Sequence, residues 1–137
     1  MPEEMKVRLV WLKIMYSYTL IGAGGFGLGI LLVPGLMMKM MGFPAQDPVT
    51  LGIAGSVFCA FAVLSVLGLI SPLKFVPVLV LQLSYKLIWF IAVVVPLLVS
   101  GQFPAYAGIL AVIFATYIIG DLIAIPFPVV FAKEAGQ

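Results

Sequence analysis

The sequence predicts an all-α fold: a four-helix transmembrane bundle, antiparallel and up-down. Three observations predict it. The 137 residues are 64% hydrophobic and 9% charged, against about 45–50% and about 25% in an ordinary soluble domain. The mean hydropathy is +1.29. The chain also divides into four stretches that each match the roughly 20 apolar residues of a membrane-spanning helix, with short Pro- and Gly-bearing connections between them. A soluble domain of this size still exposes about a third of its unfolded surface. Seven basic and five acidic side chains do not cover that area, so lipid is the solvent for most of this chain.

The first span lies near residues 10–33. No charge falls between Ile14 and Val33, and Pro34-Gly35 follows. The second, near 49–70, opens with Asp47 as an N-cap and Pro48 at the first helical position, and closes at Ser71-Pro72. The third, near 76–99, holds one charge, Lys86, and Pro96 predicts a slight kink in its last turn. The fourth, near 104–125, begins at Pro104 after the hairpin Ser100-Gly101-Gln102. It holds one charge, Asp121, and stops at Pro126 and Pro128. Short connections favour neighbouring antiparallel helices. Residues 1–137 read as a single polytopic domain with no linker or low-complexity tract. Span one is too long for a cleaved signal peptide. Glu3 and Glu4 stand where a basic region would be, and no small-residue cleavage site follows.

Cytoplasmic loops of membrane proteins are enriched in Lys and Arg. Lys6, Arg8, Lys13, Lys74 and Lys133 fall on one side and only Lys39 on the other. This bias predicts cytoplasmic N and C termini, with the connection from Pro34 to Pro48 facing outward.

The absences narrow the chemistry. There is no histidine, so no Ser-His dyad or imidazole ligand exists. Cys59 is the one cysteine, which excludes an intrachain disulfide or a CxxC pair. A net charge of +2 is too small and dispersed for a nucleic-acid footprint. Neither a metal site nor a cofactor is expected. The outward methionines Met37, Met38, Met40 and Met41 carry the thioethers that suit Cu(I). With Phe43 and Pro44 they read better as an apolar half-turn lying on the bilayer.

Val33-Pro-Gly-Leu-Met-Met-Lys-Met-Met-Gly-Phe-Pro-Ala-Gln-Asp-Pro48 leads into the small-residue helix start Leu51-Gly-Ile-Ala-Gly55. This pattern resembles the DoxX-like group of small bacterial four-helix inner-membrane proteins. In that group a first span ends in proline, followed by an apolar turn, a Gly-hydrophobic-Pro step and a glycine-bearing second span. One Lys in the third helix and one Asp in the fourth also fit. The resemblance covers about residues 20–126. It implies the fold and, through a few members, an association with redox or stress-response membrane complexes. It assigns no catalytic residue.

Lys86 and Asp121 are the most informative residues. A charge at the centre of a span costs at least about 2.5–3.5 kcal/mol on insertion scales and calls for a partner. If spans three and four form a hairpin about residues 100–104, residue 86 is level with residue 118. Asp121 is then about 4.5 Å further along, within reach of a lysine side chain, and the two can pair. Gln82, Tyr85, Lys86 and Trp89 share one helical face at i, i+3, i+4, i+7, and Tyr117 stands one turn from Asp121. These six residues are the candidate ligand or ion-pair site, expected in the cytoplasmic half. The competing interpretation is a buried pair that only fixes helix register.

Gly22, Gly24 and Gly27 match a dinucleotide-binding G-x-G-x-x-G pattern. That fingerprint needs a strand-turn-helix and water, and here it falls inside a membrane span. Gly22, Gly25 and Gly29 instead read as a small-residue packing face. Gly52 and Gly55, with Ser56, Cys59 and Ala62, form the matching face of span two. Trp11, Tyr16, Tyr18, Phe103 and Tyr106 read mostly as interface anchors, and Tyr16 and Tyr18 lie deep enough to supply hydroxyls to the core.

The expected function is that of a small integral membrane protein without catalytic activity. It would be an accessory subunit or a binder of a lipophilic ligand at the polar cluster of spans three and four. Its expected partners are the lipid bilayer, such a ligand, and a homo-oligomer or larger membrane complex. The alternatives are an oligomeric transporter or channel, and a membrane enzyme with Asp121 as acid/base on a lipid-soluble substrate.

Overall fold

The structure is a computed structural model. It describes residues 3–133, with side chains from Leu9 onward. The charges of Lys6 and Arg8 that entered the orientation argument, and the end of the chain at Gln137, lie outside what is described.

The elements are α1 (Glu3–Leu32), α2 (Pro34–Met41), α3 (Pro48–Ile70), α4 (Val76–Trp89), a π-helical turn (Phe90–Val94), α5 (Val95–Val99), α6 (Ala105–Ala124) and α7 (Phe127–Val130). Four segments are long and apolar enough to cross a membrane: Leu9–Leu32, Pro48–Ile70, Val76–Val99 and Ala105–Ala124. They match the four predicted spans to within two residues at each end. Their outer faces carry unpartnered bulk such as Ile21, Ile53, Ile91 and Val112, each more than 60% exposed. Such a surface is stable against lipid rather than water, as in a multi-pass membrane protein.

The side-chain contacts pair the helices. Tyr16 of α1 lies against Gly68 of α3, Gly24 against Ala62, and Gly27 against Gly55 and Cys59. Numbers rise on one helix as they fall on the other, so α1 and α3 run antiparallel. Met15 meets Gly120 and Gly22 meets Tyr117, which gives the same sense to α1 and α6. A core of Leu12, Met15, Tyr16, Val76, Leu79, Leu83, Tyr117, Ala124 and Ile125 fills the end of the bundle where α1 begins and α6 ends. Tyr16 is therefore a core residue, not an interface anchor. It is fully buried and donates to the Pro72 carbonyl at 2.7 Å.

The glycine expectations need correction. The close approach of α1 to α3 runs through Gly24 and Gly27, which are buried. A Cβ on Gly27 would stand 2.9 Å from the Cys59 nitrogen and the Gly55 oxygen. Gly55 packs against Ile30 and Leu31, as expected. Gly25 and Gly52 meet nothing within 4 Å, Gly29 meets only the flexible side chain of Met37, and Gly22 faces Tyr117 of α6. A packing face at i, i+3 from Gly24 replaces the i, i+4 face from Gly25. The helix turn sets this phase, and a run of four glycines in six residues does not reveal it.

Residues 34–41 form a helix rather than a half-turn. Pro34 occupies its first turn, where a missing N–H costs nothing. Gly42 closes it at φ 74°, a left-handed conformation that side chains resist. Pro96 is also accommodated differently from a simple kink. The Val95 N–H bonds to the Phe90 carbonyl, five residues back. The widened turn makes room one turn before the proline ring, which would clash with a carbonyl in a regular α-helix.

Candidate functional site

The polar residues of the bundle interior lie on two levels. On the lower level, towards the ends of α1 and α6 that hold the core, Thr19 of α1, Gln82 of α4 and Asp121 of α6 converge. All three are at most 1% exposed. The Gln82 amide nitrogen can donate to Asp121 Oδ2 at 3.1 Å and Oδ1 at 3.3 Å, while its oxygen accepts from the Thr19 hydroxyl at 3.1 Å. This orientation satisfies an ionised carboxylate. In the opposite orientation the amide nitrogen donates to Thr19 Oγ1 at 3.1 Å and the amide oxygen faces the carboxyl group.

One turn higher, Lys86 is 2% exposed and enclosed by aromatic faces. Its Nζ stands 4.3 Å from the Tyr85 ring centroid, 4.4 Å from Tyr117 and 4.7 Å from Phe114. These are cation–π distances. The ammonium donates to the Tyr85 hydroxyl at 2.7 Å. Among the described residues no lysine or arginine nitrogen lies within 4 Å of a carboxylate. Lys86 and Asp121 therefore make no direct ion pair. The expected pairing is not made: Lys86 stands against Tyr117, and Asp121 is one turn away. The Gln82 amide occupies the carboxylate, and the three rings hold the ammonium.

A cavity of about 270 Å³ opens above Lys86. Phe26, Phe58, Leu110, Ile113 and Phe114 give it apolar walls, and Tyr18, Gly22, Ala23, Met41, Tyr85, Lys86 and Tyr117 complete the lining. Tyr18 and Ile113 line it while being 40% and 37% exposed. The cavity thus opens sideways between α1 and α6. At that mouth Tyr18 stacks on Tyr117, with ring centroids 4.4 Å apart, and shares a 2.7 Å hydrogen bond with the Thr116 hydroxyl. Gly22 is part of the wall because its missing side chain leaves room for the Tyr117 ring.

Of the six candidates, Tyr85, Lys86 and Tyr117 line the cavity, while Gln82 and Asp121 lie beneath it. Trp89 stands behind, edge-on to Phe114 at 5.0 Å. The α4 face is thus divided between the cavity and the level beneath it. Sequence reasoning missed Thr19, Phe114 and the α1 wall. A signal for Thr19 was present: Leu12, Met15, Tyr16 and Thr19 follow i, i+3, i+4, i+7 and are all nearly fully buried. Ser65 of α3 is also fully buried, and its hydroxyl finds no acceptor.

The chain matches no protein-family model, and no similarity to a curated protein or to a solved structure was found.

Proposed function

We propose that this chain is a non-enzymatic membrane protein that binds a lipophilic ligand in the cavity above Lys86. The observation that carries the reading is a lateral, aromatic-walled cavity with one buried, incompletely hydrogen-bonded ammonium at its floor. Ligand pockets are mostly apolar with a few placed polar groups, and this lining has that composition. A transporter reading would call for a polar path through the bundle, whereas the packed core beneath Gln82 and Asp121 closes this one. An enzyme reading would call for Asp121 in the cavity wall, and Asp121 is not there.

In the same proposal the bundle is up-down, its termini are cytoplasmic, and its membrane is a bacterial inner membrane of the DoxX-like kind. The antiparallel pairings of α1 with α3 and with α6 support the up-down order, the Lys/Arg bias supports the orientation, and the DoxX-like resemblance carries the choice of membrane. A reporter fused after Gln137 should read cytoplasmic and one inserted at Gln46 should read external. The reverse pattern would overturn the orientation. Ligand binding is tested on protein taken from its membrane in polymer-bounded lipid discs. Mass spectrometry of the extracts should find a lipophilic molecule near one per chain in the wild type and its loss in Ala23→Trp, which fills the cavity. Equal contents would sink the binding role.

A further inference from the structure

Resting on the ligand-binding reading above, we infer that the cavity takes a single-chain amphiphile with an anionic head, of the long-chain carboxylate class, whose head sits on Lys86. An ammonium carries three donors. One is used on the Tyr85 hydroxyl, and the other two find no acceptor oxygen among the described residues. The three rings stabilise the cation through their faces but accept no conventional hydrogen bond from it. Lys86 is 98% buried by its 2% exposure and faces the cavity. The one carboxylate in the region has its oxygens turned to the Gln82 amide on the level below. What the floor lacks is an acceptor, and a charged one best offsets a cation removed from water.

The rest of the cavity selects the tail. Beyond Lys86 the walls are Phe26, Phe58, Leu110, Ile113 and Phe114, with no second charge. At about 270 Å³ the space lies just below the roughly 300–1,000 Å³ of ligand pockets. It suits one hydrocarbon chain and not the two of a phospholipid. The mouth between Tyr18 and Ile113 faces the lipid-exposed side, so a chain can trail into the bilayer. Asp121 lies one turn below Lys86 on α6, and an ionised carboxylate there repels an anionic head. The site should therefore bind an anion more tightly when that charge is removed.

The test is equilibrium binding of radiolabelled palmitate to the full chain in detergent, with unlabelled palmitate, methyl palmitate or phosphatidylglycerol as competitors. Palmitate should compete at a concentration at least tenfold lower than its methyl ester. Lys86→Met should abolish that preference while keeping the ester affinity, with Lys86→Gln in its place where the methionine variant does not fold. Asp121→Asn should bind palmitate several-fold more tightly with the ester unchanged. Equal competition by acid and ester would overturn the anionic head and leave the lipophile reading standing. No saturable binding of either would overturn both. Phosphatidylglycerol competing as well as palmitate would overturn the single-chain assignment. A Lys86→Met variant that binds palmitate as tightly as the wild type would overturn the placement of the head beside Lys86.

Discussion

The two sides of α1 are built on opposite principles. Towards α3 it presents Gly24 and Gly27, and the two backbones nearly touch. Towards α4 and α6 it presents Tyr18, Thr19, Gly22 and Ala23, and the helices stand apart around rings, a lysine and a cavity. In lipid there is no hydrophobic force between apolar helices, so association rests on close packing and on buried polar contacts. One side of this chain uses the first means and the other uses the second. The packed side leaves no volume for a guest. The polar side holds the helices together at a few points and leaves space between them.

The largest test of that contrast is steric. Gly27→Leu should leave little folded protein, since the new side chain meets the Cys59 nitrogen and the Gly55 oxygen, neither of which can rotate away. The cost should exceed the roughly 1–3 kcal/mol of ordinary overpacking. Gly25→Leu, two positions earlier and facing open space, should be tolerated. Expression level and thermal unfolding in detergent measure both. Equal damage from the two would mean that α1 does not present this face to α3.

The next effect concerns the polar side. Gln82→Leu removes the amide between Thr19 and Asp121, at roughly 1–3 kcal/mol for each buried group left unsatisfied and more for the charge. Asp121→Leu should cost a similar amount. The double variant should recover much of the loss, because paired polar groups can be replaced together. The coupling of Lys86→Met with Asp121→Leu should be smaller, since those two side chains do not touch. Unfolding in mixed micelles gives both cycles. A larger coupling for Lys86 with Asp121 than for Gln82 with Asp121 would restore the direct ion pair.

The smallest effect lies at the start of α3. The Thr50 hydroxyl and then its backbone N–H donate to Asp47 and hold that carboxyl below the usual carboxylate range. A lowered folded value means the cap contributes above the unfolded value of about 3.9 and fades as pH falls through the folded one. Asp47→Ala should slightly lower stability at neutral pH and flatten its dependence below about pH 4. An unchanged acid limb would show that the cap does not support the seam.

The sequence made the four spans legible because lipid demands long uncharged runs, and the prolines and Asp47 punctuate them. It also gave the face Gln82, Tyr85, Lys86, Trp89, because polar residues stand out in an apolar helix. It hid what depends on phase within uniformly apolar stretches. The step from Gly25 to Gly24 and Gly27 is invisible where every face is apolar. The aromatic walls Phe58 and Phe114 look like any other lipid-facing phenylalanine. Helix α2 carried its own signals, Pro34 and Gly42, but they stood where the end of a span was also expected. The division of Lys86 from Asp121 depends on an amide and three rings from different helices, and spacing along one helix does not encode it.

The π turn at Phe90–Val94 has a consequence for how this chain can change length. It holds one residue more than an α-helical turn, in the manner of a single-residue insertion. Losing one residue there would restore regular α-helix, and the segment beyond would keep nearly its present phase relative to α4, because the wide turn uses one more residue for the same rotation. Lys86 and Val95–Val99 could then both keep the sides they now present. A single-residue deletion in this stretch is therefore absorbed where it is made, whereas the same deletion in the regular part of α4 would turn everything beyond it by about 100°.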